Sequence, residues 1–276
     1  MPKIDTLVQD IYDLYRNGVD PKDILHAEHQ RMGLRIGVAV AESLTRVKEE
    51  RVPELYMSSV GKPECQLWFQ MHGAPKEEML PHTLIKFLVG NIMEEVMLFL
   101  AAQAGHEVTE QQKRASINGV RGKMDAKIDG VTTEVKTASP YGFQKFEDGD
   151  LGDDSFGYER QLDSYLEAEG ESEGAFFAFH KVLGKLTLMR QTREPDSKSA
   201  AARIEFLKEV VACDTPPDRC YDSVPDGKSG NMKLGVVCSY CDYKETCWPG
   251  LRTFLYSNGP RFLTTVALEP NVMEKR

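Results

Sequence analysis

The chain has 276 residues, 41% of them hydrophobic and 9% aromatic, which predicts a folded globular protein with a substantial core. It has no run of 18 apolar residues and no signal-peptide pattern at its N-terminus, so we expect a cytoplasmic protein (host cytoplasm for a viral one) without a membrane span. The net charge of −9 argues mildly against nucleic-acid binding, because phosphate contacts need Lys and Arg, and six cysteines in a cytoplasmic chain argue against a disulfide framework.

Apolar residues recur at helical spacing in several segments. The segments nearest the N-terminus contain no candidate catalytic or metal-binding motif. Residues 1–55 are therefore predicted to form a helical extension that packs on the core or on another subunit. The longest uninterrupted stripe ends at Gly105, a residue type favoured just beyond a helix C-terminus. The predicted helices cover 4–17, 21–50, 82–104, 156–169 and 197–212.

Between the helices, the pattern changes to short β-type runs. Asp129-Gly130 is a strong signal for a two-residue hairpin turn, which predicts strands at about 120–128 and 131–137. A second strand pair is predicted at 176–180 and 186–190.

This order of elements predicts a mixed α/β (α+β) fold, in which a small mixed sheet is flanked by helices. The tail after Cys213 is rich in Pro, Gly, Asp and Cys and has no steady period, so we expect an irregular loop segment there. We therefore divide the chain into residues 1–55, 56–212 and 213–276.

The predicted hairpin carries a candidate acidic site. Glu134 and Lys136 share one face of a strand, while Val135 points into the core. The turn folds Asp125 back beside them, where two carboxylates suit a hard ion such as Mg²⁺ or Mn²⁺, and Lys136 can assist an attacking water. Residues 113–136 contain six basic and three acidic side chains, so this stretch is locally positive. The alternative is a solvated strand face with a surface ion pair.

A third carboxylate is expected from the 82–104 helix. Glu94 lies one turn after Gly90 and near the apolar stripe, where a carboxylate is costly unless it is paired or bound to metal. Glu95 points about 100° away and is expected to be exposed. The sequence does not decide which of the two is the ligand, and we select Glu94.

The C-terminal cysteines have metal-ligand spacing. Cys238 and Cys241 form a C-x-x-C corner, and Cys247 adds a third thiolate after five residues. A closed four-cysteine site needs one more ligand, for which Cys65, Cys213 and Cys220 are the candidates. By spacing alone, Cys220 is the nearest.

These motifs resemble those of the RecB-like PD-(D/E)XK nucleases, whose fold resembles the restriction endonucleases. The matching elements are Gly90-x-x-x-Glu94, Gly122-x-x-Asp125, Glu134-x-Lys136 and Gln161-x-x-x-Tyr165, and the resemblance covers about residues 60–250. It implies that Glu94, Asp125, Glu134 and the Val135 carbonyl hold the metal, that Lys136 assists catalysis and that Gln161 and Tyr165 position DNA.

The same resemblance implies an iron–sulfur cluster. The iron–sulfur branch, which includes the CRISPR-adaptation exonuclease and the AddB nuclease domain, carries one cysteine before the catalytic core and C-x-x-C-x₅-C after it. Cys65, Cys238, Cys241 and Cys247 match this pattern and would hold a [4Fe–4S] cluster, with Zn²⁺ as the alternative. Many relatives with a cluster have His where this chain has Glu94, whereas phage-type exonucleases have Glu.

The predicted function is a metal-dependent DNA exonuclease that acts in phage or mobile-element recombination, end processing or degradation. The first rival is a structure- or sequence-specific endonuclease on the same fold. The second is a zinc-stabilised nucleic-acid-binding module without catalytic activity. The sequence contains no P-loop motor motif, so the expected partners besides DNA are a second copy or a recombination or helicase protein.

Overall fold

The computed structural model describes residues 3–45, 53–152, 155–193 and 199–275. Its helices are α1 (Leu7–Asn17), α2 (His26–Leu44), α3 (Glu64–Met71), α4 (Pro81–Gln103), α5 (Pro140–Asp148), α6 (Tyr158–Glu169), α7 (Ala200–Ala212), α8 (Val236–Ser239) and α9 (Lys244–Cys247). Its strands are β1 (Val108–Thr109), β2 (Arg114–Ile117), β3 (Val120–Lys123), β4 (Ala126–Ile128), β5 (Val131–Ala138), β6 (Glu173–His180), β7 (Leu186–Thr192), β8 (Val224–Pro225), β9 (Met232–Lys233), β10 (Arg252–Tyr256), β11 (Gly259–Thr265) and β12 (Met273–Lys275).

A five-stranded mixed sheet in the order β1-β4-β5-β6-β7 forms the centre of the fold. Its neighbouring strands run antiparallel, except for β5 and β6, which run parallel. A parallel pair needs a crossover connection, and α5 and α6 lie in that connection. This arrangement confirms the predicted mixed α/β fold with a small sheet flanked by helices.

The two faces of β5 have different surroundings. Val135 packs into an apolar cluster that also contains Leu7 of α1, Met97 of α4 and Phe177 of β6. The opposite face carries Glu134 and lies beneath α5 and α6. The alternation of side chains along β5 therefore places Val135 and Glu134 on opposite faces of the sheet, and each face packs against its own apolar cluster.

The predicted turn at Asp129-Gly130 is confirmed. Both residues have positive φ, 51° and 81°, as a type I′ hairpin turn requires. Ile128 of β4 pairs with Val131 of β5 across the turn. Glycine is suited to the second position because it has no Cβ to oppose a positive φ.

The predicted continuous strand over 120–128 is wrong. β3 pairs with β2 in a separate hairpin, and β4 pairs with β5. The break falls at Met124 and Asp125, because the Met124 N–H donates to the Lys113 carbonyl and the Asp125 carbonyl accepts from the Gln112 N–H. Asp125 therefore lies at a bend between two strands rather than within one.

The helices predicted over 4–17, 21–50, 82–104, 156–169 and 197–212 correspond to α1, α2, α4, α6 and α7. The ends of two predictions, at 46–50 and 197–198, lie outside the described residues. α1 follows a 3-10 turn, and together they bury Ile4 of the turn and Leu7 and Ile11 of the helix against α4 and the sheet. α2 lies along α4, where Arg35 pairs with Glu95 at 3.1 Å.

The expectation of an irregular tail after Cys213 is wrong. An antiparallel sheet in the order β12-β10-β11-β9-β8 forms there, with Phe254 and Leu263 buried. Its strands are two to seven residues long, too short for most of them to show a period in the sequence. The C-x-x-C-x₅-C cysteines lie in α8, in α9 and in the turn between these helices, within the segment that joins β9 to β10.

Candidate active site

The strand β5 presents Glu134 and Lys136 side by side. The Glu134 side chain is buried, and its Oε2 accepts a hydrogen bond from Lys136 Nζ at 2.6 Å. Lys136 Nζ also lies 3.4 Å from Gln161 Oε1 on α6. Glu134, Lys136 and Gln161 thus form one contact group between the sheet and α6.

Asp125 approaches this group from the bend between β3 and β4. Its Oδ2 accepts the backbone N–H of Val135 at 2.8 Å, which anchors the carboxylate to β5. Burial raises the pKa of Asp125 well above its usual value, and the charges of Glu134 and Glu94 raise it further.

Glu94 comes from the middle of α4, and its Oε1 accepts a hydrogen bond from Gln112 Nε2 at 2.8 Å. Burial, with repulsion from Glu95 and Glu134, raises the pKa of Glu94 to about 7. Glu95 instead pairs with Arg35 of α2. Of the two candidate ligands, the structure brings Glu94 to the acidic group and turns Glu95 towards α2.

Of the two glycines in the motifs, only Gly122 is required by close packing. A Cβ on Gly90 would lie 3.7 Å from Thr137 Oγ1, an ordinary contact between α4 and β5. A Cβ on Gly122 would lie 2.8 Å from Met57 Cβ and 2.8 Å from a ring carbon of Tyr165. Any larger residue at Gly122 would therefore displace these packed neighbours and the bend that holds Asp125.

Lys136 is a charged residue in acidic surroundings. Burial lowers its pKa, but the charges of Glu134 and Asp125 outweigh burial and raise the pKa above its usual value. The ammonium also lies 5.0 Å from the centroid of the Tyr158 ring, which favours the charged form. Lys136 is therefore protonated at neutral pH.

The donor chemistry of this site fits a hard divalent cation. Glu134 Oε1 is buried and has no hydrogen-bond partner among the described residues. No hydrogen bond therefore offsets the cost of removing this oxygen from water. Carboxylate oxygens are the ligands that Mg²⁺ and Mn²⁺ prefer. Across the described ranges, no three acidic, His or Cys side chains are grouped closely enough to hold a metal as they stand. Glu94, Asp125 and Glu134 would have to draw together around an ion.

Gln161 and Tyr165 lie on one face of α6, as the spacing predicts, but in different surroundings. Gln161 contacts Lys136, whereas Tyr165 is 1% exposed and packs with Met57 against Gly122. Burial and the charge of Glu134 raise the pKa of Tyr165. Tyr165 is therefore a buried packing residue next to the bend that holds Asp125.

Sequence reasoning missed two residues of this site. Gln112 holds Glu94, and Tyr158 lies beneath Lys136. Gln112 has a positive φ of 57° in the turn before β2, and no motif marks it. Tyr158 begins the helix that carries Gln161, so a search one turn before the Gln-x-x-x-Tyr motif could have found it.

The four cysteines predicted to hold a cluster line a single pocket. Cys65 stands in the first turn of α3, and Cys238, Cys241 and Cys247 come from α8, α9 and the turn between them. Phe69, Tyr221 and Trp248 are among the other residues that line this pocket. The structure therefore brings together cysteines that are more than 170 residues apart in the sequence.

A fifth cysteine lies beside them. The Cys220 thiol accepts the Cys65 backbone N–H at 3.5 Å and lies 3.3 Å from Glu64 Oε2. Cys213, by contrast, is exposed, and its thiol lies 3.4 Å from the Glu209 carbonyl. Of the two cysteines that the predicted cluster does not use, Cys220 thus lies beside the pocket and Cys213 stands apart from it.

Different neighbours shift the pKa values of the pocket thiols in different directions. Burial raises the pKa of Cys241 to about 11 and also raises that of Cys238. A hydrogen bond with Cys65 lowers the pKa of Cys247. Soft metals bind thiolates, so a metal or cluster would have to displace the protons of the buried thiols.

No helix in the described parts of the chain is long and apolar enough to cross a membrane.

Several solved structures resemble this chain weakly in overall fold. That of SSO0001 is 15% identical over 78% of this chain and 95% of that chain, with a TM-score of 0.44. That of an alkaline exonuclease (LHK-Exo) from Laribacter hongkongensis is 14% identical over 59% and 91%, with a TM-score of 0.35. That of a phage-related exonuclease from Haemophilus somnus 129PT is 13% identical over 59% and 92%, with a TM-score of 0.39. No family model and no curated protein matches the sequence.

Proposed function

We propose that this protein is a metal-dependent DNA exonuclease that hydrolyses phosphodiester bonds at the site formed by Glu94, Asp125, Glu134 and Lys136. The observation that carries the proposal is the buried Glu134 carboxylate. One of its oxygens is bonded to Lys136, and the other has no partner among the described residues. Burying a carboxylate oxygen without a hydrogen-bond partner destabilises the fold unless the site binds a cation.

Glu94, Asp125, Glu134 and the Val135 carbonyl would hold the Mg²⁺ or Mn²⁺ ion. When bound, such an ion polarises a phosphoryl oxygen and lowers the pKa of water. The Val135 N–H holds Asp125, and Gln112 holds Glu94, so both carboxylates are oriented before the ion arrives. These hydrogen bonds orient the two carboxylates individually, and an ion would still have to draw them together with Glu134.

Lys136 would act as a cation. Because its pKa is raised, it donates hydrogen bonds at neutral pH and does not accept a proton. In this form it can orient the attacking water and offset the negative charge that develops on the phosphate. Gln161, at 3.4 Å from the ammonium, would limit its movement and help to position the DNA strand.

The pocket cysteines would hold a [4Fe–4S] cluster through Cys65, Cys238, Cys241 and Cys247, with Zn²⁺ as the alternative. The support is their convergence from distant parts of the chain onto one pocket. A cluster there would link α3 to the segment that carries α8 and α9. Its role would be structural, because closing so long a loop restrains the unfolded chain and ligation adds folding free energy.

The biological setting that fits this chemistry is recombination, end processing or degradation of phage or mobile-element DNA in a cytoplasm. Such an enzyme would work with DNA alone, as a homo-oligomer, or beside a recombination or helicase partner. We offer this setting as an analogy to nucleases of similar motif.

The decisive experiment is the digestion of end-labelled linear and closed circular DNA by the anaerobically purified protein, in Mn²⁺ and in EDTA. The proposal predicts metal-dependent loss of linear DNA with circles left intact, from a protein with visible iron–sulfur absorbance. Cutting of circles would indicate an endonuclease. A colourless protein without cleavage in Mg²⁺ or Mn²⁺ would contradict the proposal and favour a zinc-stabilised binding module.

A further inference from the structure

A line of aromatic rings leads from the candidate active site to the surface. The Tyr158 ring lies 5.0 Å from Lys136 Nζ. Phe156 stacks on Tyr158 with centroids 5.4 Å apart and an angle of 21°. Tyr240 follows at 5.8 Å from Phe156, with its ring tilted by 50°. The line thus joins β5 to the segment between Cys238 and Cys241.

The outer rings of this line face solvent. Tyr240 is 68% exposed and Phe156 is 50% exposed, whereas Tyr158 is half-buried. Tyr158 also stacks with the buried Phe146 of α5, with ring centroids 6.2 Å apart. The line is therefore anchored in the core at one end and open at the other.

The backbone holds the outer rings in place. A Cβ on Gly61 would lie 2.5 Å from Gly157 Cα, so the turn before α3 presses directly against the residue between Phe156 and Tyr158. Tyr240 is placed by the helix α8, where its N–H donates to the Val237 carbonyl at 3.3 Å. Gly157, next to Phe156, and Tyr240 itself are thus held by backbone contacts.

The cation that accompanies this line is Lys136 at its inner end, 5.0 Å from the Tyr158 ring. Near Tyr240, Lys76 is already paired with Asp242 at 3.0 Å, and burial lowers the pKa of Lys62. Aromatic faces beside lysines are the usual elements of a surface that binds single-stranded nucleic acid, because bases stack on the rings and phosphates pair with the cations.

We propose that Phe156 and Tyr240 form a stacking subsite for an unpaired nucleobase of the DNA strand that enters the active site. This inference rests on the proposed nuclease function. A base in a duplex is already stacked on its neighbours, so the rings favour a single-stranded or frayed end. The line ends at Lys136, so a base held by its outer rings lies two to three ring spacings from the catalytic group, on the path by which the strand would reach it.

The test is an abasic scan of a single-stranded oligonucleotide. Equilibrium binding is measured in Ca²⁺ for the intact oligonucleotide and for versions that lack one base at successive positions from the end. For the unmodified protein, removal of one base should weaken binding about tenfold at one position, the scale expected for a base–aromatic stack. For Phe156→Ala and Tyr240→Ala, removal of that same base should not weaken binding of the oligonucleotide any further.

Tyr240→Phe keeps the ring and should retain the abasic effect. Tyr15→Ala is the matched control, because Tyr15 is 72% exposed but lies on α1. Phe156 lies outside the cysteine segment, so its variant tests the subsite even if Tyr240→Ala disturbs the cysteines. An abasic effect of equal size in the variants, with DNA cleavage retained, would overturn the subsite alone. Absence of both DNA binding and cleavage in the unmodified protein would overturn the subsite and the proposed function together.

Discussion

The ammonium of Lys136 lies 2.6 Å from the carboxylate of Glu134, whose side chain is buried and whose second oxygen has no partner among the described residues. The pair lies on one face of β5, two residues apart, so its spacing is fixed by the strand itself. A buried pair of this kind is more easily explained by function than by stability, because desolvation offsets most of its attraction.

Substitution of Lys136 should separate catalysis from binding. Lys136→Met removes the cation that would offset charge on the phosphate, so we expect cleavage to fall about 100-fold or more while DNA affinity changes little. Single-turnover cleavage and equilibrium binding measure the two effects. Lys123→Met, at an exposed position on β3, is the matched control. Unchanged cleavage in Lys136→Met would remove this residue from the mechanism.

The same substitution has a predicted structural cost. Lys136→Met leaves the Glu134 charge buried without its partner, which should lower the free energy of unfolding by about 3–5 kcal/mol. Adding Glu134→Gln removes that charge and should restore much of the stability without restoring cleavage. Urea denaturation of the single and double variants tests this, and a double variant that is no more stable than the single one would contradict it.

Metal binding should depend on pH near neutrality. The pKa of Glu94 is raised to about 7, so this side chain is largely protonated below that pH and ionised above it. A cation must displace the remaining proton, so the affinity for Mn²⁺ should rise as pH increases through about 7, with proton release on binding. Calorimetry in two buffers of different ionisation enthalpy measures both. Glu94→Gln should abolish the part of the pH dependence that comes from this side chain. An affinity for Mn²⁺ that does not change between pH 6 and 8 in the unmodified protein would contradict the prediction.

His106 should contribute to stability rather than to catalysis. Its buried ring lies 2.6 Å from Asp129 at the β4–β5 turn and 3.2 Å from Asp10 of α1. Removing the ring leaves these contacts unmade, so His106→Ala should lower the free energy of unfolding by about 1–3 kcal/mol. His82→Ala, at an exposed position in α4, should have little effect. Equal stability of the two variants in urea denaturation would contradict this role.

Acid should weaken the stabilising ion pairs that Glu169 makes with Lys113 and Lys127. Hydrogen bonds from Lys113 and Lys127 lower the pKa of Glu169. A carboxyl with a lowered folded pKa contributes stability above its unfolded pKa of about 4.3, and this contribution is lost as pH falls through the folded value. Lys113→Met should therefore reduce stability at pH 7 and have a smaller effect below pH 4. An equal effect of Lys113→Met at both pH values, measured by urea denaturation, would contradict this linkage.

The sequence predicts those parts of the fold that depend on local pattern. Asp129-Gly130 specifies its turn by its own backbone preferences, and residues 131–137 carry a strand whose alternation places Glu134 and Lys136 on one face. The bend at Asp125 depends instead on hydrogen bonds to residues 112 and 113, which no local pattern reveals. The tail sheet escaped prediction because its strands are short and are held by pairing with one another.

The parts of the site that were not predicted depend on contacts between residues that are far apart in the sequence. Gln112 reaches Glu94 across 18 residues, and Tyr240 reaches Phe156 across more than 80. Likewise, Cys220 lies beside Cys65 only because the chain returns to α3. By contrast, the spacing of Glu134 and Lys136 is a property of the strand and is readable without the fold.

The most direct test of the central claim compares the cleavage of end-labelled linear DNA by the unmodified protein and by Glu134→Gln in Mn²⁺. Glu147→Gln, at an exposed position on α5, is the control. We predict cleavage by the unmodified protein and the control, and loss of cleavage in Glu134→Gln with its fold retained in urea denaturation. Equal cleavage by all three proteins would contradict the assignment of the active site to the buried carboxylate of β5.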